Sequence, residues 1–138
     1  MAIAPDGNTY VTGISPEATL RDVKTGQLLY TLSGHSDAID CAAFSKDGKM
    51  VVTGSRDNNA RVWDVASGKL LLLLSANSGQ VKSVAFSPDG TKVLTGSKTA
   101  RLWSLAANDP QQQTFSAPAG ITAFAMAPDG KTILVGDT

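Results

Sequence analysis

Four Asp-Gly pairs recur along this chain at near-constant spacing: Asp6-Gly7, Asp47-Gly48, Asp89-Gly90 and Asp129-Gly130. Their glycines stand 41, 42 and 40 residues apart. The flanks recur with them. Ile3-Ala4-Pro5, Phe44-Ser45-Lys46, Phe86-Ser87-Pro88 and Met126-Ala127-Pro128 precede the pairs, and Val11-Thr12-Gly13, Val52-Thr53-Gly54, Leu94-Thr95-Gly96 and Leu134-Val135-Gly136 follow them. Four windows in register mark an internal repeat of roughly 40 residues, and a fixed period of that size is the mark of a repeat architecture. An Asp-Gly pair supplies the positive φ of a tight hairpin, so each pair is expected to join two strands.

The residues around the pairs are β-formers bounded by turn residues, as in Val81, Val84 and Phe86 before one pair and Val93 and Leu94 after it. No segment sustains a 3.6-residue period. Leu70–Leu74 has helical propensity but is short and lies between Ser67-Gly68 and a Ser/Asn/Gly-rich stretch, so a buried strand is expected there. Each repeat then reads as four strands, A to D. In the second, A covers 38–45, B 49–55, C 60–65 and D 69–75. The first repeat keeps only a stub of A, and the last stops after B. The units run approximately 1–33, 34–75, 76–116 and 117–138. Thirteen strands, stub included, make about three and a quarter four-stranded blades. The expected fold class is all-β: β-propeller blades of four-stranded antiparallel sheets in an incomplete ring.

Composition narrows the function. Of 138 residues, 12 are Lys or Arg and 12 are Asp or Glu, so the chain lacks the basic excess of a nucleic-acid protein and the charge to seek an anionic membrane. The longest apolar run, Leu70–Leu74, is far below the ~20 residues that span a bilayer. Met1–Gly7 has no basic start or apolar core, so no signal peptide is read. One cysteine, Cys41, forms no internal disulfide and suits a reducing compartment. A cytoplasmic location is expected.

The second unit reads Gly34-His35, then Phe44-Ser45-Lys46-Asp47-Gly48, Thr53-Gly54-Ser55-Arg56-Asp57 and Arg61-Val62-Trp63-Asp64. The third has Phe86-Ser87-Pro88-Asp89-Gly90, Leu94-Thr95-Gly96-Ser97 and Ala100-Arg101-Leu102-Trp103-Ser104. In this order and recurrence the motifs resemble the WD-repeat β-propeller family, over essentially the whole chain. The resemblance implies a buried chain of His35, Thr53, Asp57 and Trp63 within one blade. Such a chain makes chemical sense: an indole N–H needs an acceptor, a neutral imidazole both donates and accepts, and a carboxylate in a turn fixes its tautomer. The third unit keeps Thr95 and Trp103 but has Asn77 at the His position and a B–C turn, Ser97-Lys98-Thr99, two residues shorter and without Asp. The first keeps Thr12 but has Arg21-Asp22 for Trp-Asp, and the last has Ala117 and Val135 at the His and Ser/Thr positions. One blade is thus complete by motif, and the others are expected to lean on apolar packing.

The resemblance also implies partner-facing positions at the channel mouth: Ala38, Asp40 and Arg56 in the second unit, Gln80 and Lys82 in the third, and Thr122 in the last. Lys98 matches poorly because its turn is shortened. These residues are chemically mixed and name no ligand class. No catalytic residue is expected: His35 sits in the structural Gly-His context, and Cys41 aligns with Ser83 and reads as a small buried hydrophobe. The acidic residues stand singly in turns, so no metal site and no cofactor are expected.

The expected function is a non-catalytic protein–protein interaction scaffold, a fragment of a larger propeller whose C and D strands continue beyond Thr138, with protein or peptide partners and neither nucleic acid nor membrane. Two alternatives stand beside it. One is a half-propeller that closes a ring as a homo-oligomer, disfavoured because both ends offer the same strands. The other is part of a propeller enzyme with a channel-mouth site, for which strand A offers only Asp37 and Asp40.

Overall fold

The computed structural model describes residues 1–75, 77–106, 112–115, 121–130 and 132–137, with 14, 112–115, 121–125, 135 and 137 described by backbone alone. Among the described residues fourteen strands follow one another: β1 (Ala2–Ile3), β2 (Thr9–Ile14), β3 (Glu17–Asp22) and β4 (Leu28–Leu32); β5 (Ile39–Phe44), β6 (Met50–Ser55), β7 (Ala60–Asp64) and β8 (Leu70–Leu74); β9 (Ser83–Phe86), β10 (Lys92–Gly96), β11 (Ala100–Ser104) and β12 (Gln112–Phe115); then β13 (Ile121–Met126) and β14 (Ile133–Asp137). They form three antiparallel four-stranded sheets, each in chain order, and one two-stranded sheet. The chain is all-β, and its sheets are the blades of an incomplete propeller. The expected thirteen strands, stub included, are one too few: the described strands number fourteen, in groups of four, four, four and two, and the N-terminal stub pairs as a strand, Ala2 with Val11 and Ile3 with Tyr10.

The Asp-Gly pairs build the A–B turns. Gly7, Gly48, Gly90 and Gly130 all hold φ between 68° and 71°, where glycine carries no Cβ penalty. Only the glycine is left-handed; the aspartate works through its carboxylate. Asp47 Oδ1 accepts from Lys49 N at 3.1 Å and Ser45 Oγ at 2.7 Å. Asp89 Oδ1 accepts from Thr91 N at 3.0 Å and Ser87 Oγ at 2.5 Å. Asp6 and Asp129 accept from Asn8 N and Thr132 N. This is the Asx-turn that makes aspartate a turn residue. The bonds from Ser87 and then Thr91 hold the Asp89 carboxyl down at about 2.

Alternation along the strands sends one face of each blade to each neighbour. Val51 and Trp63 pack on Val11, Ala18, Leu20 and Leu32 of the first sheet. Val52, Ala60, Val62 and Leu74 face the other way, onto Val81, Val93 and Trp103 of the third. Leu94 and Ala100 meet Met126 and Ile133 of the last. The junctions are close. At Gly54 a Cβ would lie 2.5 Å from Cys41 Sγ and 2.6 Å from Val81 Cγ1, so the B-strand glycine is set by this approach. At the outer edge Tyr30 of β4 crosses to the second blade, its hydroxyl donating to Ala66 O at 2.8 Å and its ring lying against Gly68.

The five-leucine run forms the strand β8, but the expectation that it is buried is corrected. Leu70, Leu71 and Leu73 are 47–48% exposed and only Leu74 is fully buried. As strand D, β8 has a neighbour on one side only and lies at the outer margin of its blade.

Candidate functional site

Two groups of side chains occupy the end of the second and third blades opposite the Asp-Gly turns. The first is buried. Trp63 Nε1 on β7 donates to Thr53 Oγ1 on the adjacent β6 at 2.9 Å. Thr53 Oγ1 in turn lies 2.8 Å from His35 Nε2, and His35 Nδ1 lies 2.9 Å from Asp57 Oδ2. Because the Thr53 hydroxyl already accepts from the indole, its own proton goes to Nε2, which leaves the imidazole proton on Nδ1 facing the carboxylate. Asp57 also accepts from Ser36 N at 3.1 Å and Asn59 N at 2.9 Å. The turn that holds it contains Asn58 at φ 67°, a conformation asparagine tolerates.

Sequence reasoning missed Arg61. Its Nη1 donates to Asp57 Oδ2 at 3.0 Å and lies 2.6 Å from His35 Nδ1. A second proton on the imidazole would place a positive ring against the guanidinium. Burial is the main force holding the His35 pKa below the usual 6.5, and Arg61 adds to it against the opposing pull of Asp57. Burial would raise the Asp57 pKa, but the bonds from His35 and from the Ser36 and Asn59 N–H groups outweigh it and bring it to about 2. The pair is therefore a neutral imidazole and a carboxylate. The signal for Arg61 was available in its pairing position: it stands directly opposite Thr53.

The third blade departs from reliance on apolar packing alone. Trp103 Nε1 donates to Thr95 Oγ1 at 2.9 Å, and Thr95 Oγ1 donates to Asn77 Oδ1 at 2.7 Å. Asn77 Nδ2 then donates to Leu74 O at 2.8 Å and Asn58 O at 3.2 Å, carbonyls of the second blade. In place of the missing turn aspartate, Ser78 Oγ bonds to Ser97 Oγ and Thr99 Oγ1. Thr12 has no tryptophan beside it in the first blade. Thr19 Oγ1 there is buried with no hydrogen-bond partner among the described residues.

The second group lies at the surface. Asp40 receives Arg56 Nε at 3.0 Å on Oδ1 and Lys82 Nζ at 2.5 Å on Oδ2. The carboxylate side chain is 17% exposed, against 49% for Arg56 and 43% for Lys82. Desolvation pushes the Asp40 pKa up, but Lys82 and Arg56 outweigh it and hold the acid below its ordinary range. Backbone irregularity explains the aim of Asp40. The β5–β6 register jumps between Ile39 and Cys41, so Asp40 is the extra residue of a β-bulge, a device that redirects a side chain. The β13–β14 register jumps likewise between Ile121 and Ala123, which makes Thr122 the bulged residue of the last hairpin; its side chain lies outside what is described. Ala38 O accepts from Arg56 N at 2.9 Å, and Gln80 is exposed beside Lys82. Lys98 packs its stem on Gly79 and does not join Asp40. Ala117 lies outside the described residues.

Cys41 is separate from His35. Its Sγ points to Val81 O at 3.6 Å, and burial pushes the thiol up to about 12, so it carries no thiolate at neutral pH. Among the described residues no group of three or more His, Cys, Asp or Glu is placed to hold a metal ion, and no helix is long and apolar enough to cross a membrane.

The family model for the WD domain, G-beta repeat, matches residues 26–64 and 68–104, more than half of the chain. The chain belongs to the WD-repeat family. Its WD-repeat relatives are much longer. It is 35% identical over 63 residues to the human Intraflagellar transport protein 122 homolog, covering 46% of this chain and 5% of that protein. The Periodic tryptophan protein 2 homolog of Neurospora crassa is 40% identical over 65 residues, 46% of this chain and 7% of that protein. WD repeat-containing protein 18 of Danio rerio is 36% identical over 63 residues, 46% of this chain and 15% of the relative. The aligned part thus spans a small fraction of each.

Proposed function

We propose that this chain is part of a larger WD-repeat propeller that serves as a non-catalytic scaffold for protein or peptide partners. The partners meet the rim formed by Ala38, Asp40, Arg56, Gln80, Lys82 and Thr122. The repeat units are 1–33, 34–75, 76–116 and 117–138. The chain of His35, Thr53, Asp57 and Trp63, with its partial counterpart of Thr95 and Trp103, is structural: it stiffens the blades that carry the rim.

One observation carries the reading. A single carboxylate, Asp40, is shared by cations from two different blades, which fixes both at the surface while leaving them about half exposed. Such pairs contribute little stability, so an ordered, half-exposed cluster at the rim suits recognition better than folding. The buried thiol, the neutral histidine in a closed hydrogen-bonded chain and the family membership all favour binding over chemistry.

The test is affinity capture with the 138-residue chain against its Arg56→Glu/Lys82→Glu variant, with Lys92→Glu as a surface control. Proteins retained by the wild type and the control but lost from the rim variant support the reading. Identical captured sets from all three overturn it.

A further inference from the structure

The Asp40 cluster is more specific than a patch of surface charge. Arg56 is held at both ends. Its backbone N donates to Ala38 O at 2.9 Å, and its Nε donates to Asp40 at 3.0 Å on Oδ1 and 3.2 Å on Oδ2. Lys82 is held in the same way from the next blade: its backbone N donates to Gly96 O at 2.8 Å, and its ammonium donates to Asp40 Oδ2. The bulge that aims Asp40 thereby sets the position of two cations from two blades.

The tether uses one nitrogen of the guanidinium. Nη1 and Nη2 of Arg56 make no hydrogen bond among the described residues, and the side chain is about half exposed. Two terminal amino groups on a planar guanidinium form the fork that meets both oxygens of a carboxylate. A long side chain ordinarily loses rotamer freedom when it makes such a contact. Asp40 has already fixed this arginine, so that cost is met before a partner arrives. The Lys82 ammonium carries three protons and makes one hydrogen bond among the described residues, to Asp40.

The charges select the ligand. Two cations and one carboxylate give the cluster a net charge of +1 (2 − 1), the match for a monoanion. The neighbouring acid, Asp37, turns onto its own segment and accepts from Ala38 N at 2.6 Å. A phosphate dianion would gain attraction in proportion to its charge, lose hydration roughly as the square of it, and meet Asp40 with twice the repulsion of a carboxylate. We propose that Arg56 and Lys82 form a seat for one carboxylate of an acidic residue, Asp or Glu, on a partner protein, the free Nη pair of Arg56 taking its two oxygens with the Lys82 ammonium alongside. The proposal rests on the rim being the partner-facing surface and adds the chemistry of what arrives there.

The test uses the 15N-labelled 138-residue chain, read at the backbone amides of Asp40, Arg56 and Lys82, with Gly7 and Gly48 at the opposite end as references. The probes are a Gly-Ser peptide capped at both ends with one central glutamate, the same peptide with glutamine, and the same with phosphoserine. A saturable shift of the rim amides with the glutamate peptide, none with glutamine and a weaker response to phosphoserine are expected, with the references unmoved. Arg56→Lys keeps the charge but loses the fork, and is expected to weaken the response about tenfold. Asp40→Asn removes the negative charge and is expected to move the preference toward phosphoserine. No saturable response to the glutamate peptide, an equal response to glutamine, an unchanged response in Arg56→Lys, or tighter binding of phosphoserine by the wild type would each overturn the proposal. The scaffold reading fails separately: proteins captured through the rim but not displaced by the glutamate peptide would leave it standing and remove this seat.

Discussion

The indole N–H of Trp63 and the hydroxyl of Thr53 meet at 2.9 Å across two adjacent strands, and both residues are buried. The same pair recurs at the same distance in Trp103 and Thr95 of the next blade. Thr53→Val keeps the shape and removes the oxygen, so it strands both the indole donor and the imidazole acceptor. An unsatisfied buried group costs about 1–3 kcal/mol. Thr53→Val is expected to destabilise the chain by about that amount, and Thr53→Ser far less, in urea unfolding followed by tryptophan fluorescence. A loss from Thr53→Ser as large as that from Thr53→Val would show that the methyl group matters as much as the hydroxyl.

Acid is expected to loosen the second blade in two stages. His35 has a folded pKa below its ordinary 6.5, so its contribution is complete above pH 6.5 and is lost as pH falls toward its folded value. Asp57 is held at about 2 against 3.8, so its contribution is complete above pH 3.8 and is lost between there and about 2. Both act in the same direction. The unfolding free energy should be level above pH 7, decline below 6.5 and fall further below 4. His35→Asn, the residue Asn77 supplies in the third blade, should flatten the first decline. A wild-type curve that is flat from pH 7 to pH 5 would exclude the titration of His35.

Gly54 has no room for a methyl group. The added carbon would fall within 2.5–2.6 Å of Cys41 Sγ and Val81 Cγ1. Overpacking of this kind costs typically 1–3 kcal/mol, and Gly54→Ala is expected to lie in that range. Cys41→Ala in the same chain should recover part of the loss. A double-mutant cycle reads the coupling, and strict additivity of the two changes would contradict the contact.

The Asp40 cluster is expected to matter little for stability. Its cations are about half exposed, and surface ion pairs contribute roughly 0–1 kcal/mol. Asp40→Asn should change the unfolding free energy by less than about 1 kcal/mol, and the difference should shrink further in about 1 M salt, where charges are screened beyond a few ångströms. A larger, salt-insensitive loss would make the cluster a structural element.

The regular part of the fold was legible because it rests on local chemistry repeated four times. Each Asp-Gly pair encodes a turn in two residues, and β-branched and aromatic residues on either side encode the strands. What was not legible depends on neighbours distant in sequence. The leucines of β8 look like core in any window, and only their place at the blade margin exposes them. Asn77 reads as the loss of a histidine, yet it closes a hydrogen-bonded chain by borrowing the carbonyls of Leu74 and Asn58. The bulge at Asp40 leaves no mark in composition, although it decides where that carboxylate points.

The replacement of His35 by Asn77 from one blade to the next has a consequence for how the assembly answers its surroundings. Both arrangements anchor a tryptophan through a threonine, but one ends on a group that can take up a proton and the other on an amide that cannot. Neighbouring joints of the same construction therefore differ in what they sense. Acid therefore bears on the first of these joints through the imidazole of His35, and the amide of Asn77 gives it no such group to protonate in the second.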